Sequence, residues 1–317
     1  MNCKIKLSIL FMLISLVSFS QTFPESKSEN HHLINGTNIS LVPPTSFEAS
    51  SDFKGFQNPA DPSSMIMVVE IPGPYSEVAV GFESPELLKA QGMELKSKKE
   101  VKVFNFDGLL LEIDQAANGM LFSKHILLYG NEKSSTMING AFLKESADLG
   151  VEIKESMLTT FIDSNLKADP RSALNYTLDE SASSLKFKAV IGNAMTFNRD
   201  LKTPTQSEDQ ANLFSENSFA QIEIADQKLF CISRVQQYPD DYSIIPSKGI
   251  DEIEIDGLKG YELHAKNNDK ETEEMYQAVL FKAEGGYYLF VGTYLADKSE
   301  KAIRDIKSLV RTFKRKK

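Results

Sequence analysis

The sequence predicts an α+β protein: two consecutive, mostly antiparallel sheets, each covered by the helix that ends it. Three observations lead there. The stretch from Phe122 to Phe161 occurs twice, because a shift of 152 positions lays it without a gap on Glu274 to Phe313. Leu128 then meets Leu280, Gly140 meets Gly292, Leu143 meets Leu295, and Ser156–Phe161 meets Ser308–Phe313. Within each copy, short segments alternate polar and apolar residues with the period of two that a half-buried strand needs. Each copy then closes on a helical pattern, clearest where Ala302, Ile303, Ile306, Leu309, Val310 and Phe313 fall on one face.

Taken in order, residues 21–32 are polar and read as a flexible lead. Asn38–Val42 alternates and stops at Pro43-Pro44, a first short strand. Met65–Ile71 is almost continuously apolar, the pattern of a central strand covered on both faces, and Pro72-Gly73-Pro74 breaks it. Ser84 and Pro85 supply an N-cap and a first helical position, so a short helix begins there. Val101–Phe106 runs into Asp107-Gly108, a hairpin signal. Leu109–Ile113 returns, Asn118-Gly119 turns again, and Ser123–Tyr129 and Thr136–Leu143 complete the meander. Ser146–Phe161 is a helix that Gly150 weakens.

Residues 164–184, with Pro170 and several Ser and Asp, read as a linker. In the second copy Leu185–Val190 is a strand and Met195-Thr196-Phe197 offers another. Leu229–Ser233 takes the place of Met65–Ile71, Ile250–Ile255 ends at Asp256-Gly257, and Gly285-Gly286 turns the last hairpin. The Pro85 helix has no counterpart. The predicted domains are 33–163 and 185–317.

Composition narrows the function. The chain has 317 residues, 41% of them hydrophobic, and a net charge of −9. Such a balance repels nucleic acid and anionic lipid. Residues 1–20 read as a signal peptide: Lys4 and Lys6 precede the short apolar run Leu7–Val17, and Ser18-Phe19-Ser20 places cleavage before Gln21. The protein is then secreted or periplasmic, without a stable membrane span. Cys3 leaves with the signal, so Cys231 is alone and no internal disulfide forms.

Standard catalytic and nucleotide-binding signatures are absent. Cys231 with His264 or His125 could form a nucleophile and base, but a Cys inside an apolar segment behaves as a small buried hydrophobe. His31-His32 is a weak chelator, since adjacent side chains on an extended segment diverge. Glu252, Glu254 and Asp256 share one strand face and could hold Ca²⁺, against the plainer expectation of a solvated face. Tyr287, Tyr288, Phe290 and Tyr294 form an aromatic cluster suited to domain packing, or to a protein or carbohydrate partner. No cofactor is expected.

The order of an early strand before Pro43-Pro44, a long loop, a central strand, an Asp-Gly meander and a helix ending in Thr160-Phe161 or Thr312-Phe313 resembles the PsbP-like fold. That family includes extrinsic photosystem II subunits, small exported bacterial proteins and nuclear Ran-binding proteins. The resemblance covers nearly all of the mature chain as two tandem copies. It implies α/β/α sandwiches that bind partners and do no chemistry. The expected function is therefore an exported, non-catalytic interaction module with an unknown protein or envelope partner. The alternative is a hydrolase or small-ligand-binding enzyme, with a pocket in the first domain near the Pro85 helix or between domains, using His125, His264 or acidic residues.

Overall fold

The computed structural model describes residues 23–82, 84–117, 119–218 and 221–316. The expected signal peptide and its cleavage point lie outside the described residues. The architecture is mixed α+β, with two multi-stranded antiparallel sheets and few helices.

The first part of the chain opens with short strands β1 (His32–Leu33), β2 (Ile39–Leu41) and β3 (Glu48–Ala49), then β4 (Gly55–Asn58) and the long β5 (Asp61–Pro72). Along β5, Ser64, Ile66 and Val68 are buried at every second position, as the pleat requires. Helices α1 (Tyr75–Val80) and α2 (Pro85–Ala90) follow, and the Ser84 hydroxyl caps α2 by accepting from the Leu87 amide. Strands β6 (Met93–Val103), β7 (Phe106–Ala117), β8 (Met120–Gly130) and β9 (Ser134–Leu143) form a meander. Helix α3 (Ala147–Leu158) and the short β10 (Phe161–Ile162) end this part.

The resulting seven-stranded sheet has the order β3-β4-β5-β9-β8-β7-β6. Ile153 and Met157 of α3 pack on one face against Ile66, Leu110, Leu127 and Ile138. Ala79 and Leu88 of the two small helices cover the other face at Leu109, Leu111, Ile126 and Leu128. Gly150, which weakens α3 by propensity, is required by packing: a Cβ there would lie 2.3 Å from the Phe142 ring.

The second part begins with β11 (Tyr176–Thr177), followed by β12 (Lys186–Ile191), β13 (Ala194–Asn198) and β14 (Asn212–Asn217). Helix α4 (Gln227–Arg234) and strands β15 (Tyr242–Ile244), β16 (Ile250–Ile255), β17 (Leu258–Asn267), β18 (Glu273–Phe281) and β19 (Tyr287–Leu295) come next. Helix α5 (Ser299–Val310) and β20 (Lys314–Arg315), which pairs with β11, close the chain. The sheet order is β12-β13-β14-β19-β18-β17-β15, with β16 also on β17. Ala302, Ile306, Leu309 and Val310 of α5 bury one face, and α4 covers the other through Cys231 against Leu263, Val279 and Leu289.

Several expectations are corrected. Leu229–Ser233 is helix, not strand: Asp226 accepts from the Leu229 amide and starts α4. The place of Met65–Ile71 is taken by β14, since Ile66 pairs with Gly140 and Leu213 pairs with Gly292. Helix α4 stands in the connection after that strand, where α1 and α2 stand in the first part. The first hairpin turns at Phe104-Asn105, not Asp107-Gly108, because Val103 pairs with Phe106.

The gap-free shift of 152 also fails in one strand. It relates β7 to β17 and β9 to β19, but β8 to β18 is offset by 151: Leu127 pairs with Ile138, and Ala278 pairs with Phe290. Leu128 therefore corresponds to Val279, not Leu280. One residue matters, because it exchanges the two faces of a strand. Residues 21–32 are not a loose lead throughout: Phe23 joins the first core and His31 bonds the Thr159 carbonyl at 2.8 Å. Within 164–184, Leu174 and Tyr176 belong to the second core. Between the parts, Asp52 Oδ1 accepts from Asn175 Nδ2 at 2.6 Å and from Asn217 Nδ2 at 2.9 Å.

Candidate functional site

The aromatic residues singled out in β19 do not make an exposed patch. Tyr288, Phe290 and Tyr294 are buried, and the first two meet Phe313 at ring-centroid distances of 4.7 and 5.5 Å. Tyr287 is half-buried on the opposite face, 5.0 Å from the Phe230 ring of α4. The physical reason is that both faces of this sheet carry a helix. Reading α4 as a strand hid the second cover.

The acidic row is not gathered either. Glu252 and Glu254 are exposed on β16, but Asp256 sits in the following turn at φ 52 and binds Arg315, whose backbone and side-chain hydrogen bonds hold its carboxyl below the usual range. Among the described residues no group of three or more His, Cys, Asp or Glu is placed to hold a metal ion.

Glu252 and Glu254 nevertheless line a cavity, and it has a counterpart. In the first part a groove of about 650 Å³ lies over the β6–β7 hairpin, with Glu100, Val101, Lys102, Asp107, Gly108 and Leu109 in its wall. In the second part a groove of about 360 Å³ is lined by Glu252, Ile253, Glu254, Lys259, Gly260 and Tyr261, the same six positions 152 residues on. The first residues of a connecting helix close each groove: Tyr75 and Ser76 of α1 in one, Gln227 of α4 in the other. The glycine is a steric requirement. A Cβ would lie 2.8 Å from the Leu128 carbonyl oxygen at Gly108, and 1.8 Å from that of Val279 at Gly260. Both grooves are acidic in balance, with Glu100, Asp107 and Glu132 against Lys102, and Glu252 and Glu254 against Lys259. Sequence reasoning missed them, although the Gly108–Gly260 match was a signal.

On the opposite face of the first sheet, beneath α3, a hollow of about 600 Å³ contains His125, Glu112, Asp114, Ser123, Lys144 and Lys154. Lys154 Nζ donates to Glu112 at 2.6 Å, and that bond holds the Glu112 carboxyl below its ordinary value. Burial pulls the Asp114 carboxyl up, but hydrogen bonds from Lys144 and Ser123, both at 2.7 Å, outweigh it and leave the group lowered. His125 is pushed down by burial, and its Nδ1 is buried without a hydrogen-bond partner.

The Ser123 hydroxyl thus serves Asp114, not the imidazole. Cys231 is buried, with its thiol pushed up to about 12 by desolvation. His264 is buried, its Nδ1 3.2 Å from the Tyr294 hydroxyl, and desolvation lowers it to about 4.

No family model and no curated protein matches the sequence. Solved structures are similar to it in part. The cyanobacterial PsbP, CyanoP, of Synechocystis is 10% identical, with a TM-score of 0.32, over 42% of this chain and 91% of its own. LpqN of Mycobacterium tuberculosis, involved in cell envelope biogenesis, is 19% identical, with a TM-score of 0.31, over 39% and 82%. The type VI immunity protein TplEi of Pseudomonas aeruginosa is 10% identical, with a TM-score of 0.32, over 90% and 96%.

Proposed function

We propose that this chain is an exported, non-catalytic interaction module of two tandem PsbP-like sandwiches, built around 33–163 and 185–317, that docks an envelope or extracellular partner through its paired hairpin grooves. Export rests on the signal-like segment ending before Gln21. Among the described residues no helix is long and apolar enough to cross a membrane.

The observation that carries the reading is the recurrence of one groove at the same six positions of both sheets, each time over a glycine and beside the start of a helix. Surplus carboxylates in both grooves favour a partner that presents basic groups. Two of the reactive side chains are engaged elsewhere: Ser123 donates to Asp114, and His264 meets Tyr294.

Photo-crosslinking from Ser76 and from Gln227, both exposed at the groove mouths, tests this in the organism's envelope fraction. The expected result is the same adduct from both positions, diminished by Glu100→Lys with Glu252→Lys. Absence of a specific adduct at either position overturns the reading. So does turnover of an ester, peptide or glycoside by the purified chain that His125→Ala abolishes.

A further inference from the structure

We propose that the hollow beneath α3 binds an aromatic ring bearing a hydroxyl group, a phenol in chemical terms. The inference is independent of the groove reading, since the hollow lies on the other face of the first sheet.

The second sheet shows what fills this space when the chain fills it itself. Tyr276 pairs with Gly292 beneath α5 as His125 pairs with Gly140 beneath α3. Tyr276 is fully buried, and its hydroxyl donates to Glu262 at 2.7 Å. The Lys307 ammonium of α5 stands 5.3 Å from the centre of its ring and also donates to Glu262, at 2.8 Å. A carboxylate, a lysine and a phenol therefore close one unit under that helix.

The first sheet also has a carboxylate–lysine pair under its helix, set differently, and lacks the ring. Glu112, two residues along β7 from the position of Glu262 and directly across from His125, pairs with Lys154, and each side chain stays about a third exposed, at 36% and 37%. His125 occupies the register position of Tyr276 and Phe142 that of Tyr294, and the hollow remains. Its rim is apolar where the chain meets solvent, with Val151 56% exposed. A phenol seated here lays its edge on Phe142, offers its face to Lys154 and donates its hydroxyl to Glu112. Glu112 and Asp114 already have lysine partners, so the site favours a neutral hydroxyl over an ammonium or a second carboxylate.

The test is titration of the whole mature chain with p-cresol and with toluene, followed by calorimetry and by the His125 imidazole resonances. Saturable p-cresol binding that shifts those resonances, about tenfold tighter than toluene, is expected from one hydrogen bond to a charged acceptor. Val151→Trp, at the exposed rim, is expected to abolish it without loss of folding. Equal affinity for the two probes, no saturable binding, or binding unaffected by Val151→Trp overturns the proposal. A Gly-Tyr-Gly peptide separates the sources. Binding as tight as p-cresol assigns the site to a tyrosine side chain of a partner, and rejection of the peptide assigns it to a free phenol.

Discussion

His264 is surrounded by charge that it does not share. Desolvation lowers it first, the Lys307 and Lys248 cations add to that, and the Glu262 and Glu274 carboxylates oppose them without prevailing. A histidine lowered in the folded state leaves stability complete above its unfolded value of 6.5. As pH falls below that value the unfolded chain takes up the proton first, and stability drains until the folded group protonates near 4. Urea unfolding at pH 7 and pH 5 measures this directly. His264→Gln is expected to shrink the difference between the two pH values by about 2 kcal/mol. Glu262, lowered by Lys307, Tyr276 and Arg311 despite its burial, acts in a separate window below its ordinary value of 4.5. None of this was legible in the sequence, where His264 stood only as a candidate base beside Cys231. A pattern of alternation gives the face a residue takes, not the cations that reach it from Lys307, 43 positions downstream in α5, and from Lys248, 16 positions upstream.

At the level of elements, each terminal helix sits on a glycine. A Cβ at Gly140 would lie 2.3 Å from Ile153 Cγ2, and one at Gly292 would lie 2.8 Å from Ile306 Cδ1. Gly140→Ala and Gly292→Ala are each expected to lift the helix and lower stability by about 1–3 kcal/mol in urea melts, the range for overpacked cores. These helices were readable because their apolar residues recur at helical spacing and nothing else competes for that pattern. Helix α4 was not. Leu229-Phe230-Cys231-Ile232 is a short unbroken apolar run, which fits a covered strand as well as a helix, and the deciding feature was the Asp226 cap in front of it. The Phe104-Asn105 turn escaped for a related reason. Asp107-Gly108 has the stronger turn chemistry, but Gly108 is needed inside β7 by the Leu128 carbonyl.

Across the whole molecule, each sheet has its own clusters of buried residues, and Asp52 bridges them through Asn175 and Asn217. Burial raises the Asp52 carboxyl, with Lys282 and Asn217 partly offsetting it. Two unfolding transitions are therefore expected in scanning calorimetry. Gly140→Ala should move one of them and Gly292→Ala the other. A single transition displaced by both variants would mean that the sheets melt together. The α+β class was visible from the sequence because alternation and helical spacing are properties of single segments. The paired grooves were not, since each depends on a glycine, a hairpin and a distant helix end arriving at one place.

The one-residue offset between β8 and β18 has a consequence for how such a chain reaches its native state. Two look-alike sheets on one polypeptide invite a strand of one to enter the other while both are still forming. Sequence likeness would set Val279 beside the neighbours of Leu127, yet Leu127 faces α3 while Val279 faces α4. A strand misplaced on that likeness sets its side chains under the wrong helix, where their sizes and polar groups do not fit, so the small discrepancy insulates each half against theft by its sibling.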